Sequence, residues 1–183
     1  MIGTIIFHLL IVAAGVFGIM TGYRKGIRRQ IGAVIALAFA IVAAHILGKE
    51  LFDTIWKYLQ IFPAFNMRFI AATLSAILIF IPVYFLLRLC LFPLGKLMKV
   101  IRSGVLDSIF GAVFRLFNYL VFLSLAYNLL IDIDPTSSLA KSSRSHDGNL
   151  VEGVVKIAPA LMNFPDGEEV VHYQQLEDAK KIS

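Results

Sequence analysis

Cysteine is nearly missing from this 183-residue chain: Cys90 stands alone, so no disulfide forms within it and nothing is learned about a redox compartment. Charge is scarce as well. Only 16% of the residues are Asp, Glu, Lys or Arg, against 58% hydrophobic ones, where a soluble domain carries about 25% and 45–50%. No charged side chain occurs from Met1 to Tyr23, from Gln30 to Gly48 or from Phe69 to Leu87, runs of 23, 19 and 19 residues. A fourth run of 24, Ser108 to Ile131, holds the single charge Arg115. These absences exclude an ordinary soluble fold, because each run reaches the roughly 18–20 apolar residues that carry a helix across a bilayer.

Acids are the scarcest charge where the apolar runs lie. Met1 to Ile131 holds 12 Lys/Arg against 3 Asp/Glu, whereas the remainder holds 5 against 9. The cations sit at the ends of apolar runs, where they meet lipid headgroups. The pI of about 9.4 is therefore read as a membrane signature, with no nucleic acid among the partners. No cation precedes Arg24, and Arg24, Lys25, Arg28 and Arg29 follow the first run, so that run is read as a retained span, not a cleaved signal peptide.

The loop basicity sets an orientation. The first connection carries Arg24, Lys25, Arg28 and Arg29, and the third carries Arg88, Lys96, Lys99 and Arg102. The second offsets Lys49, Lys57 and Arg68 with Glu50 and Asp53 and adds Trp56, Tyr58, Phe62 and Phe65. The positive-inside rule puts the first and third in the cytoplasm and both termini outside it. Within the third connection Leu94, Leu97, Met98, Ile101 and Val105 recur at helical spacing, which predicts a helix in the membrane plane before the fourth span. The alternative is a plain extension of span three, broken at Pro93.

In lipid, helices associate along small residues that let backbones approach. Ala14, Gly18, Gly22 and Gly26 in span one, and Gly32, Ala36, Ala40, Ala44 and Gly48 in span two, recur every four residues, which predicts that spans one and two form a tight pair. Pro82 predicts a structural kink in span three. Arg115 lies about 12 Å along the helix from Asp107, too far for direct pairing. It is either an anchor reaching back past Gly111 or a charge that contacts an anion or a subunit. Asn118 and Asn128 are expected to hydrogen-bond between helices. His8 and His45 both fall toward the outer half; without a carboxylate or thiolate at ligand spacing, they are expected to hydrogen-bond between helices, the alternative being a shared metal or proton site. No catalytic or phosphate-binding motif occurs. The expectation is no enzyme, no cofactor and no metal.

Residues 132–149 read as a Ser-rich linker. Asn149 and Glu152 resemble a capping box, and Leu150, Val151, Val154, Val155, Ala158, Leu161 and Met162 mark one face of a short amphipathic helix over 150–164, interrupted at Pro159. It is expected on the outer surface, either as an arm that docks a partner or as a helix covering the rim of the membrane domain. Residues 165–183 are polar and expected to be disordered.

The segment Gly22-Tyr23-Arg24-Lys25-Gly26-Ile27-Arg28-Arg29-Gln30 resembles the turn after the first span of the colicin V production (CvpA) family, and Leu106-Asp107-Ser108-Ile109-Phe110-Gly111 resembles that family's Asp-x-x-x-Gly start of the fourth span. The likeness covers about residues 1–131. It carries over Gly22, Arg24, Gly26 and Arg28 in one turn and Asp107 and Gly111 in the other as structural residues. Where the family continues with a second glycine and a basic-Gly pair, this chain has Arg115, Asn118 and Tyr119, which fills the packing notch on span four. Asp107 is expected to cap the fourth helix, since that needs no second element; the alternative is pairing with Arg24 or Arg28. The resemblance implies a bacterial inner-membrane protein connected with toxin production or envelope upkeep and carries no catalytic residue. The expected architecture is an all-α membrane domain over 1–131, whose partners are the bilayer and other membrane proteins or a second copy. A channel or small-solute transporter subunit is the alternative.

Overall fold

The computed structural model describes residues 2–59, 67–93, 104–143 and 150–164. Among them there is no strand. Four long helices form the body: α1 (Ile2–Lys25), α2 (Ile31–Leu59), α3 (Met67–Cys90) and α4 (Val105–Ile133). A 3-10 turn, Arg28–Gln30, joins α1 to α2. Three short helices follow: α5 (Ser138–Ser143), α6 (Leu150–Val155) and α7 (Ile157–Met162). All four long helices are long and apolar enough to cross a membrane. The predicted in-plane helix falls on residues 94–103, and the polar tail on 165–183, both outside the described residues.

The surface agrees with lipid as the solvent. Ile5, Leu9, Val16, Phe17 and Met20 on α1 and Phe39 and Ile46 on α2 are all more than half exposed. In water so large an apolar face would drive association; in a bilayer it costs nothing. Backbone hydrogen bonding inside each helix satisfies most of its peptide groups without water.

The helices pack as two pairs, α2 against α3 and α1 against α4, with a lighter α3–α4 contact between the pairs. This corrects the expected union of spans one and two. A row of small residues makes a helix side approachable but does not name the helix that approaches it. The row Gly18, Gly22 and Gly26 meets α4, and a Cβ on Gly32 would lie 2.6 Å from the Leu91 carbonyl oxygen at the end of α3. Ala36, Ala40 and Ala44 are buried with Ala76, Phe80 and Tyr84 of α3 and with Val121 and Leu125 of α4. Helix α3 runs through Pro82 as one element.

Tyr84 joins the pairs by polar contact. Its hydroxyl accepts from Asn118 Nδ2 on α4 at 2.9 Å and from Arg88 Nη1 at 3.3 Å, as Asn118 was expected to bond between helices. At the end away from the α1–α2 turn, the Tyr127 hydroxyl donates to the Phe7 carbonyl at 3.0 Å, and the two rings meet edge to face.

Helices α6 and α7 carry the expected apolar face, and it is turned into the bundle. They pack on α4, with α6 also against α1 and α7 also against α2. Ala158 and Met162 belong to the same buried cluster as Ala40 and Phe80. The amphipathic pattern reports that one face is covered, and the bundle, not the headgroup layer, covers it.

Candidate functional site

The two segments singled out in the sequence meet at the basic end of the α1–α4 pair. Gly26 ends the first turn with φ of 68°, a left-handed conformation that favours glycine. A Cβ there would also collide with the Asp107 carboxylate. One turn earlier, a Cβ on Gly22 would strike the Gly111 carbonyl and come within 2.7 Å of Ala112 Cα and Arg115 Cβ. The contact is reciprocal, since a Cβ on Gly111 would lie 2.6 Å from the Gly26 carbonyl carbon and 2.7 Å from the Gly22 oxygen. Backbone therefore touches backbone at Gly22, Gly26 and Gly111.

Close approach would be wasted without polar links that fix the register, and three occur. The Ile27 N–H donates to the Asp107 carbonyl at 2.9 Å. The Arg28 N–H donates to Asp107 Oδ1 at 3.1 Å, and Arg28 Nε lies 3.7 Å from the same oxygen. Gln30 Nε2, in a side chain 4% exposed, lies 3.0 Å from the Gly26 carbonyl, 3.3 Å from that of Gly111 and 3.4 Å from that of Gly22. The Gly22 carbonyl also accepts from the Gly26 N–H at 2.9 Å, so the amide adds a second donor there and ties the turn to α4.

The expected cap on α4 is thereby corrected. Gly104 is the N-cap residue and no side chain caps the helix. Asp107 lies in the first turn, where its charge still suits the helix dipole, but its oxygens face the α1–α2 turn. The pairing alternative holds, with Arg28; Arg24 is exposed. Gln30 was not singled out. Its signal was present, an amide at the mouth of an apolar run directly after a Gly-rich turn.

One and two turns further along α4 the arrangement changes. Gly18 faces Tyr119 and Leu116, with a Cβ position 3.0 Å from Tyr119 Cδ2 and 3.2 Å from Leu116 Cα. The large residues on α4 thus do not prevent a close crossing, because the notch has moved to α1. The Arg115 guanidinium stacks over the Tyr119 ring, 5.4 Å from its centroid. Its Nε is buried without a hydrogen bond, and among the described residues no acid is bridged to it. His45 is exposed on α2.

Chemically, the basic end is a clasp. Its one carboxylate is engaged by a backbone N–H and a guanidinium, and its amide by carbonyls. Around it Arg24, Lys25 and Arg29 project outward.

No curated protein and no solved structure matches the chain significantly. The sequence model of the family described as Colicin V production protein matches residues 7–152, a range that contains both halves of the clasp and extends into α6. A helical, four-span chain in which the turn after the first span is locked to the start of the fourth belongs to the colicin V production protein family.

Proposed function

We infer that this membrane protein of the colicin V production type is non-enzymatic and supports toxin production or export, or envelope maintenance, through contacts with other membrane proteins. The observation that carries this reading is the clasp. The residues that mark the family are spent on holding α1 to α4, and the groups left facing outward around them are the exposed Arg24, Lys25 and Arg29, side chains suited to acidic headgroups or acidic partner loops. The placement proposed is the bacterial inner membrane, with the basic end toward the cytoplasm. Photocrosslinkers at Arg24 and Arg29 in native membranes test it. Discrete membrane-protein adducts that survive purification support the reading, and adducts to lipid alone contradict it.

A second reading, a channel or small-solute transporter subunit, is favoured by Arg115, a cation within a span that no described acid bridges. Membrane charges of this kind commonly contact permeating anions. Solute flux into proteoliposomes that Arg115→Leu abolishes would establish this second reading; an impermeable vesicle would remove it.

A further inference from the structure

Two cations stand in the bundle outside the clasp. Arg115 on α4 and Arg88 on α3 are both half-buried, and among the described residues no acid is bridged to either. Each guanidinium lies over a tyrosine ring, Arg115 over Tyr119 at 5.4 Å from the centroid and Arg88 over Tyr84 at 5.7 Å. Stacking of this kind holds a guanidinium in place and leaves its N–H groups free to donate elsewhere.

The two arginines border one seam. Arg115, Asn118, Tyr119 and Phe122 recur at steps of three and four and so share one side of α4. Along that stripe Tyr119 meets Phe17 of α1 at 6.0 Å between centroids, and Phe122 meets Tyr84 and Phe85 of α3 at 5.1 Å and 6.3 Å. The stripe is therefore where α1 and α3 approach α4 from two sides, and those two helices have little contact with each other. Phe17 and Phe85 on its borders are 59% and 54% exposed, so the seam opens to the hydrocarbon. A short polar chain crosses it: the Tyr84 hydroxyl accepts from Arg88 Nη1 and from Asn118 Nδ2, and Asn118 is one turn from Arg115.

Depth decides what reaches these cations. Arg115 is ten residues into α4, yet a Cβ on Gly22 would lie 2.7 Å from Arg115 Cβ, and Gly22 is only about 4.5 Å along the axis from the end of α1 at Lys25. The 24 residues of α1 extend about 36 Å against a hydrocarbon core of about 30 Å. Arg115 therefore stands where the core gives way to headgroups, and Arg88 lies in the last turn of α3. Arg115 Nε is buried without a hydrogen bond, a state that an oxyanion on the neighbouring guanidinium nitrogens would offset by charge.

The seam thus offers two unneutralised guanidinium groups at headgroup level above exposed aromatic rings at chain level. We propose that it is a binding site for an acidic phospholipid, whose phosphate is held by Arg115 and Arg88 and whose acyl chains lie along Phe17 and Phe85. A zwitterionic lipid brings its own cation beside the two arginines and is disfavoured, and inorganic phosphate has no chain to fill the seam. The proposal rests on neither functional reading given above, since crosslinks at Arg24 and Arg29 report on partner proteins and vesicle flux reports on a solute.

The test uses the full chain in neutral detergent, with phosphatidylglycerol carrying a fluorophore on one acyl chain as the probe. Saturable binding is expected, with unlabelled phosphatidylglycerol competing about tenfold or more better than phosphatidylcholine and better than inorganic phosphate. Arg115→Gln and Arg88→Gln should each weaken the probe's binding about tenfold, the loss of one charge-assisted hydrogen bond. Lys49→Gln, an equal change of charge at an exposed residue of α2, should leave it unchanged. Undiminished binding in Arg115→Gln, equal competition by the two lipids, or competition by inorganic phosphate as strong as by phosphatidylglycerol overturns the proposal, the last by giving the site to a free anion. Should Arg115→Gln fail to fold, Arg88→Gln and the competition on the unaltered chain decide by the same criteria.

Discussion

At the residue scale the clasp and the seat of α6 and α7 follow one rule: in an apolar surrounding a polar backbone group left without a partner is expensive, roughly 1–3 kcal/mol. Gln30 Nε2 lies among three carbonyls at one end, and Ser124 with Asn128 satisfies the groups freed by Pro159, the Val155 carbonyl among them, at the other. The consequence for Asn128 is measurable. Asn128→Ala is expected to destabilise the protein by about 1–3 kcal/mol in unfolding from detergent micelles. In a Pro159→Ala background the loss should shrink, since the new N–H offers the Val155 carbonyl a helical donor, and the coupling in the double-mutant cycle should be about 0.5–1.5 kcal/mol. Additive losses would mean that the proline is not the reason for the asparagine. Gly26→Ala must hold a left-handed φ and displace the Asp107 carboxylate; a loss of about 2 kcal/mol or more is expected from conformation and contact together, read from the same unfolding curves. Neither result was legible from one residue alone. Gly26 reads as a turn, but what lies against it, Asp107, is 81 positions further along the chain, with two whole spans between them.

At the element scale the sequence is informative about existence and silent about partners. Four apolar runs, three without a charge and one holding only Arg115, state four helices, and the cations at their ends state where they stop. Small residues every fourth position state that α1 and α2 each have an approachable side, yet nothing in Ala36, Ala40 or Ala44 distinguishes α1 from α3 as the neighbour. The pairing is fixed by long-range detail: Asp107 against Arg28, Gly111 against Gly22, Gly18 against Leu116. The short amphipathic segment shows the same limit. Its apolar face was visible and its burial in the bundle was not, although Pro159 in the segment and Ser124 and Asn128 four apart on a span together form a readable pair of complementary signals. Ala40 is fully buried, so Ala40→Leu should overpack the α2–α3 contact and destabilise by about 1–3 kcal/mol. Unchanged thermal stability in detergent would show that the α2 row is not a packing surface.

At the scale of the whole molecule two helix pairs are joined by a polar bridge through Tyr84 and Asn118, with a clasp at the basic end and a short segment lodged between them. The pairs meet less extensively with each other than within themselves. The proposed orientation follows from the distribution of Lys and Arg over the connections and predicts that a membrane-impermeant thiol reagent applied to spheroplasts of a Cys90→Ser strain labels Trp56→Cys but not Arg29→Cys. The reverse pattern would invert the topology without disturbing the packing. The packing itself is tested most directly by thiol crosslinking in native membranes. With Cys90→Ser as background, Gly15→Cys paired with Leu116→Cys should be joined in high yield by a short bifunctional reagent, since a Cβ at Gly15 lies 3.6 Å from Leu116 Cδ1. Gly15→Cys paired with Ala40→Cys should not be. Crosslinking of the second pair with the first left unjoined would contradict the arrangement of α1 on α4.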